Sequence, residues 1–279
     1  MKKYIKLMRV KHYIKNLLIF VSLFFAKGIF ETDKLLAAGM GFFSFCLISS
    51  AVYIINDIND IEKDKNHPTK CNRPLASGAV SKTQAIILLS ICIIGAITLN
   101  FFTGKILSVI YVIIYFVLNV LYSFALKNYP IIDIVILTSG FVLRVLYGAY
   151  ITDTIISSWL FLVIISGSFY LGLGKRRAEI ELKADSRKVL KYYNYAFLDK
   201  NMYVCFALVS VFYALWAKEF SNPNMIYSVP LVFVILMKYS LDIEGDYDGD
   251  PVEVVLKDKW LISLSVLYII LVSVLLYLV

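Results

Sequence analysis

The chain has 279 residues, of which 60% are hydrophobic and only 17% charged, whereas soluble domains run near half apolar and a quarter charged. Those figures exclude intrinsic disorder, collagen, a coiled-coil rod and a disulfide-stapled miniprotein. The formal charge of +8 invites a nucleic-acid reading, but in a chain built of long apolar blocks the basic residues first report membrane orientation.

Taken in order, the apolar blocks predict nine spans, at about 14–30, 35–55, 84–102, 106–122, 131–150, 155–173, 201–217, 226–239 and 260–279, each near the roughly 20 residues that cross a bilayer. The first follows a basic segment like a signal peptide. It lacks an obvious small-residue cleavage site and Lys27 interrupts it, so it reads as a retained span. The eighth is short, fitting a tilted or partly re-entrant segment. No Gly-, Ser- or Pro-rich linker divides the chain. The expectation is therefore one all-α, polytopic membrane domain over residues 1–279, because a backbone in lipid must satisfy its own hydrogen bonds.

The loops are asymmetric. Of 28 Lys and Arg residues, 23 fall in the N-terminal segment or after even-numbered spans. The positive-inside rule then puts the N-terminus and those loops in the cytoplasm, and nine spans put the C-terminus outside. Acidic residues gather on the same side, which predicts a polar chamber open to the cytoplasm. Cys46, Cys71, Cys92 and Cys205 have no metal or disulfide spacing and read as small hydrophobes.

The stretch Asn56-Asp57-Ile58-Asn59-Asp60-Ile61-Glu62-Lys63-Asp64 carries most of the chemistry. If the second helix continues through it, Asn56, Asp60 and Asp64 form one stripe with Asp57 beside it. Stacked oxygen donors of this kind suit Mg²⁺ bridging to substrate phosphates, and acids at a helix C-terminus otherwise oppose the macrodipole. The plainer alternative is a solvated acidic helix end. Asn56, Asp60 and Asp64 are thus the candidate metal ligands, and Asp57, Asp60 and Asp64 the candidate catalytic carboxylates. Lys70 and Arg73, on a loop stiffened by Pro68 and Pro74, would grip a polyanion, while His67 has no second ligand at metal spacing.

Lys15 and Asn16 lie where the first span enters the membrane, with interface snorkelling the alternative for Lys15. Tyr170 and Gly172-Leu173-Gly174-Lys175-Arg176-Arg177-Ala178-Glu179 form a basic counterpart. Three adjacent cations would hold phosphate well, although Lys175 and Glu179 equally make an i,i+4 helix pair. The glycines lack the third member and preceding strand of a dinucleotide fingerprint. Arg144, inside the fifth span, should face the bundle interior and meet an anion, either a ligand or Asp133 in a structural salt bridge. Lys127 and Tyr122 would reach the same chamber. The acidic run 242–250 fails the EF-hand pattern and reads as a lid or solvated loop.

These residues resemble the UbiA superfamily of intramembrane prenyltransferases. Asn56-Asp57-x-x-Asp60-x-x-x-Asp64 matches its first aspartate motif at every position, and Lys11-x-x-x-Lys15-Asn16, His67-Pro68-Thr69-Lys70-x-x-Arg73-Pro74, Leu143-Arg144 and Gly174-Lys175-Arg176-x-Ala178-Glu179 extend the likeness along nearly the whole chain. Together they look most like the branch of polyprenyl-phosphate phosphoribosyltransferases. The resemblance implies a nine-helix bundle in a bacterial plasma membrane. It also implies Mg²⁺-dependent transfer of 5-phosphoribose from phosphoribosyl pyrophosphate to a polyprenyl phosphate, serving cell-envelope arabinan synthesis. It implies donor or acceptor contacts for Lys15, Asn16, Asn56, Lys70, Arg73, Lys127, Arg144, Tyr170, Lys175, Arg176 and Glu179. Aromatic prenyltransferases of the superfamily carry a second aspartate motif after the sixth span. Here Lys175, Arg176 and Arg177 stand in that place, which favours a donor bearing an additional phosphate over a prenyl diphosphate. A metabolite transporter would instead show midplane polar residues, paired broken helices and an inverted repeat.

Overall fold

The computed structural model describes residues 1–181, 188–245 and 250–278, and every regular element among them is helical. In chain order these are α1 (Lys2–Met8), a 3-10 segment (Val10–Phe20), α2 (Val21–Phe25), α3 (Thr32–Asn59), α4 (Ile61–Lys65), α5 (Lys82–Phe101), α6 (Val109–Phe124), α7 (Ile132–Ile151), α8 (Ser158–Glu181), α9 (Tyr195–Glu219), α10 (Val229–Ile243), α11 (Pro251–Lys257) and α12 (Lys259–Tyr277). Eight helices among the described residues are long and apolar enough to cross a membrane.

The first expected span is the departure from nine. Residues 10–25 form no single α-helix but a 3-10 rod followed by one α-turn, bounded by left-handed Arg9 (φ 52°) and Lys27 (φ 60°). A 3-10 helix rises about 2.0 Å per residue against 1.5 Å for α, so the rod and the α-turn together extend to roughly 30 Å, the thickness of the hydrocarbon layer. The eighth expected span is longer than its hydropathy suggested: Pro223–Ile243 forms 21 helical residues because a 3-10 turn precedes α10.

Local signals start the helices. Ser81 accepts from the Gln84 amide while Gln84 accepts from the Ser81 amide, a reciprocal cap that opens α5. Asn194, Asp250 and Asp258 cap α9, α11 and α12.

The chain divides into two units, residues 1–125 with 143–154, and residues 126–142 with 155–279. In the first, α3 packs along α5 and its small residues permit close approach, with Ser44 Oγ donating to the Ala96 carbonyl at 2.8 Å. Phe45, Ile54, Cys92, Tyr115 and Tyr147 form the centre of its core. Gly148 is required where the 3-10 rod touches α7, because a Cβ there would run into the Ile19 carbonyl. In the second unit α8 packs along α9, and Tyr170, Leu198, Met202, Tyr239 and Ile243 fill the core.

Candidate functional site

The acidic stretch sits where α3 ends. The helix does not run unbroken to Asp64: Asp60 (φ −100°, ψ 12°) separates α3 from α4. Hydrogen bonds from the Asp60 amide to Asn56 O (3.0 Å) and from the Asp64 amide to Asp60 O (2.8 Å) nevertheless preserve the turn. Asp57 and Asp64 are therefore buried on one side, while Asn56 and Asp60 are half-buried.

Asp57, only 2% exposed, meets two arginines. Arg9 Nη2 donates to its Oδ1 at 2.5 Å, and Arg73 Nη1 approaches the same oxygen at 3.3 Å while donating to Asp64 Oδ2 at 2.7 Å. Lys63 lies 3.7 Å from Asp60. Arg9 also stacks over the Tyr53 ring, 4.7 Å from its centroid. Two carboxylates close enough to share one guanidinium nitrogen are close enough to share a cation. With Asn56 and Asp60 adjoining, the donors are hard oxygens of net negative charge, the set that fits Mg²⁺ completed by water and phosphate. Among the described residues no three His, Cys, Asp or Glu side chains converge as a ready-made cage. Arg73 lies between two of the carboxylates instead.

Lys70 is half-buried on the loop that delivers Arg73, and His67 Nδ1 accepts from the Thr69 amide at 3.3 Å, a local turn contact. Asn16 is fully buried rather than exposed at an entrance. Its Oδ1 accepts from Arg144 Nε at 2.6 Å, and Arg144 also donates to Tyr115 OH at 3.0 Å while lying 4.7 Å over the Tyr115 ring. Lys15, beside Asn16, is half-buried. Arg144 and Asp133 cannot pair as the sequence alternative supposed, since eleven residues of helix separate them by about 16 Å along α7.

In the second unit Asp133 takes Arg176. Both are 0% exposed, with Arg176 Nε donating to Asp133 Oδ2 at 2.6 Å and Nη1 donating to Glu179 Oε2 at 2.6 Å. Tyr193 OH donates to Asp133 Oδ1 at 2.5 Å and accepts from the Ile131 amide at 2.6 Å. Burial, reinforced by the Asp133 carboxylate, pushes the Tyr193 phenol well above its ordinary range. Arg177 Nε donates to Asp199 at 3.1 Å, and Lys175 lies 3.6 Å from Asp250.

The cations read from the sequence as a phosphate grip are thus each matched by a carboxylate, with Arg176 sealed between two. The physical reason is burial: a charge withdrawn from water needs a partner of opposite sign. Tyr170 is a core residue whose hydroxyl donates to the Leu236 carbonyl at 2.6 Å. Gly172 and Gly174 serve packing against Thr138 and against Tyr239 and Ile243. Lys127 is half-buried in the 3-10 turn Leu126–Asn128 ahead of α7. In the run 242–250, Asp242 pairs with Lys238 and Asp250 caps α11, while residues 246–249 lie outside the described residues, as do Lys183, Asp185 and Arg187.

Sequence reasoning passed over Arg9, Tyr53, Tyr115, Tyr193 and Asp199. Only Arg9 carried a signal, its place two residues before the Lys11-x-x-x-Lys15-Asn16 motif.

Residues 16–189 match the UbiA prenyltransferase family. A protein of Mycolicibacterium smegmatis named decaprenyl-phosphate phosphoribosyltransferase is 31% identical over 275 residues, covering 91% of this chain and 86% of its own. A Corynebacterium glutamicum protein of the same name is 33% identical over 279 residues, covering 95% and 84%. Among solved structures, a UbiA homologue from Archaeoglobus fulgidus bound to GPP and Mg²⁺ superposes with a TM-score of 0.76 at 17% identity, covering 98% of this chain and 99% of that one. Helical architecture, aspartate motif and these likenesses agree, and the chain belongs to the UbiA prenyltransferase family.

Proposed function

We propose that this integral membrane protein transfers 5-phosphoribose from phosphoribosyl pyrophosphate to a polyprenyl phosphate and releases pyrophosphate, supplying a precursor for cell-envelope arabinan. The likeness to relatives named decaprenyl-phosphate phosphoribosyltransferase, over 91% and 95% of the chain, carries the reading. The acidic cluster spanned by Arg73 supplies chemistry that fits it.

An acceptor phosphate oxygen bonds to ribose C1 as the bond from C1 to the pyrophosphate oxygen breaks, through a transition state of oxocarbenium character. Attacking and leaving groups are both anions, so no proton moves and no general base is needed. Asn56, Asp60 and Asp64, with Asp57 assisting, would hold Mg²⁺. That ion supplies charge neutralisation of the departing pyrophosphate.

Lys70 and Arg73 of the first unit are assigned to donor phosphates and Lys15 to the lipid phosphate; for Lys175 and Lys127 a phosphate role is what the family resemblance implies. Asn16 aims the Arg144 guanidinium. Arg176 and Glu179 act chiefly by holding the end of α8 that bears Lys175, and Tyr170 by tying α8 to α10. Much of the rate comes from positioning and fixed charge. The excess of Lys and Arg after even-numbered spans supports an N-terminus and acidic cluster at the cytoplasmic face of a bacterial plasma membrane, with the C-terminus outside.

The rival is transfer of a prenyl group from a prenyl diphosphate to an aromatic acceptor, favoured by the GPP-bound A. fulgidus homologue. Detergent-purified protein is tested with both donor and acceptor pairs. Product from phosphoribosyl pyrophosphate and polyprenyl phosphate, lost in excess chelator, restored by Mg²⁺ and lost in Asp60→Ala and Asp64→Ala, is expected. Product only from prenyl diphosphate, or full activity in both variants, overturns the assignment.

A further inference from the structure

The N-terminal helix is tied down by its lysines. Lys3 Nζ donates to the Ala79 carbonyl at 3.0 Å and Lys6 Nζ to the Asn72 carbonyl at 2.8 Å, so α1 straps the loop that carries Arg73. Leu7 is fully buried, and Ser50 Oγ donates to the Met8 carbonyl at 2.9 Å, which fixes the end of the strap against α3. Arg9 follows at once in the left-handed region (φ 52°, ψ 48°), which an arginine adopts infrequently. The chain reverses there, and the Arg9 guanidinium lies on Tyr53 and on Asp57. A backbone conformation this uncommon persists when surrounding contacts over-determine it, and it points to function.

Two carboxylates, Asp57 and Asp64, face two guanidinium groups here, while Asp60 lies beside Lys63. Arg9 is anchored from outside the aspartate segment, by α1 and the Tyr53 ring, and it touches the carboxylate that Arg73 also reaches. We infer that Arg9 is a counter-ion latch: a positioning residue that holds Asp57 while the site is empty and competes with the divalent cation for it. The cation then binds strongly only when the donor's phosphates arrive to draw the guanidinium away. Such a device keeps buried carboxylates neutralised between turnovers and makes metal binding depend on donor.

The inference rests on the metal reading above, and the test separates the two. Mn²⁺ binding to the full-length protein in detergent is followed by electron paramagnetic resonance, without and with phosphoribosyl pyrophosphate. Without donor, Arg9→Gln should bind Mn²⁺ about tenfold more tightly than wild type, because one cation facing the carboxylates is gone. Arg9→Lys, which keeps the charge, should stay near wild type. Tyr53→Leu, which releases the stacking but leaves the carboxylates intact, should fall between them and guards against misfolding of Arg9→Gln. With donor present the differences should shrink. Mn²⁺ affinity in Arg9→Gln and Tyr53→Leu equal to or weaker than wild type overturns the latch while leaving the metal reading standing. Absence of saturable Mn²⁺ binding in wild type even with donor overturns both.

Discussion

Replacing Asp133 with Ala tests whether the charged end of α8 is a scaffold or a free phosphate grip. Asp133 and Arg176 are both fully buried and joined at 2.6 Å, and Tyr193 donates to the other Asp133 oxygen. Removing one member of a buried pair costs about 3–5 kcal/mol, because the remaining charge stays out of water without its counter-ion. Glu179 still contacts Arg176, which places the expected loss at the lower end, while the Tyr193 hydroxyl loses its acceptor and adds about 1 kcal/mol. The expected total is near 4 kcal/mol, read from reversible unfolding in mixed micelles titrated with denaturing detergent. Arg176→Met should cost a similar amount, since it strands Asp133. The double variant Asp133→Leu with Arg176→Met should cost less than the two singles combined by at least about 1 kcal/mol, because it removes both charges and leaves apolar volume. Single-variant losses under about 0.5 kcal/mol, or strict additivity in the double variant, would refute the scaffold reading. An Arg176→Met variant of undiminished stability with a raised KM for donor would return Arg176 to phosphate binding.

Two further outcomes follow from other contacts. Gly148→Ala should destabilise the first unit by roughly 1–3 kcal/mol, since its Cβ meets the Ile19 backbone carbonyl and not a side chain that can rotate away; unchanged unfolding would show that the 3-10 rod yields freely. The Tyr193 phenol is raised above its unfolded value of about 10, so its contribution to stability is whole below that pH and is lost as pH rises through the folded value. Unfolding free energy measured from pH 8 to 11 should therefore fall more steeply in wild type than in Tyr193→Phe, and parallel curves would contradict the buried Asp133 contact.

The sequence alone determined the all-helical membrane architecture, because the length of each apolar block is set by bilayer thickness, a one-dimensional constraint that needs no knowledge of neighbours. It also singled out the aspartate segment as a candidate, since oxygen donors three and four residues apart would share a helix face, although the break at Asp60 leaves Asp57 and Asp64, and not Asn56 and Asp60, buried. The broken first span was not legible, because hydropathy measures how apolar a segment is and not whether it is wound as α or 3-10. The partners of the charges were decided only by tertiary structure. Arg144 meets Asn16 128 positions away, Arg176 meets Asp133 43 positions away, and Arg9 meets Asp57 48 positions away. Local spacing paired Glu179 with Lys175 and offered Arg144 a carboxylate on its own helix. Helix packing brought other groups nearer, and in a low-dielectric interior a charge takes whichever opposite charge or polar oxygen the fold carries to it.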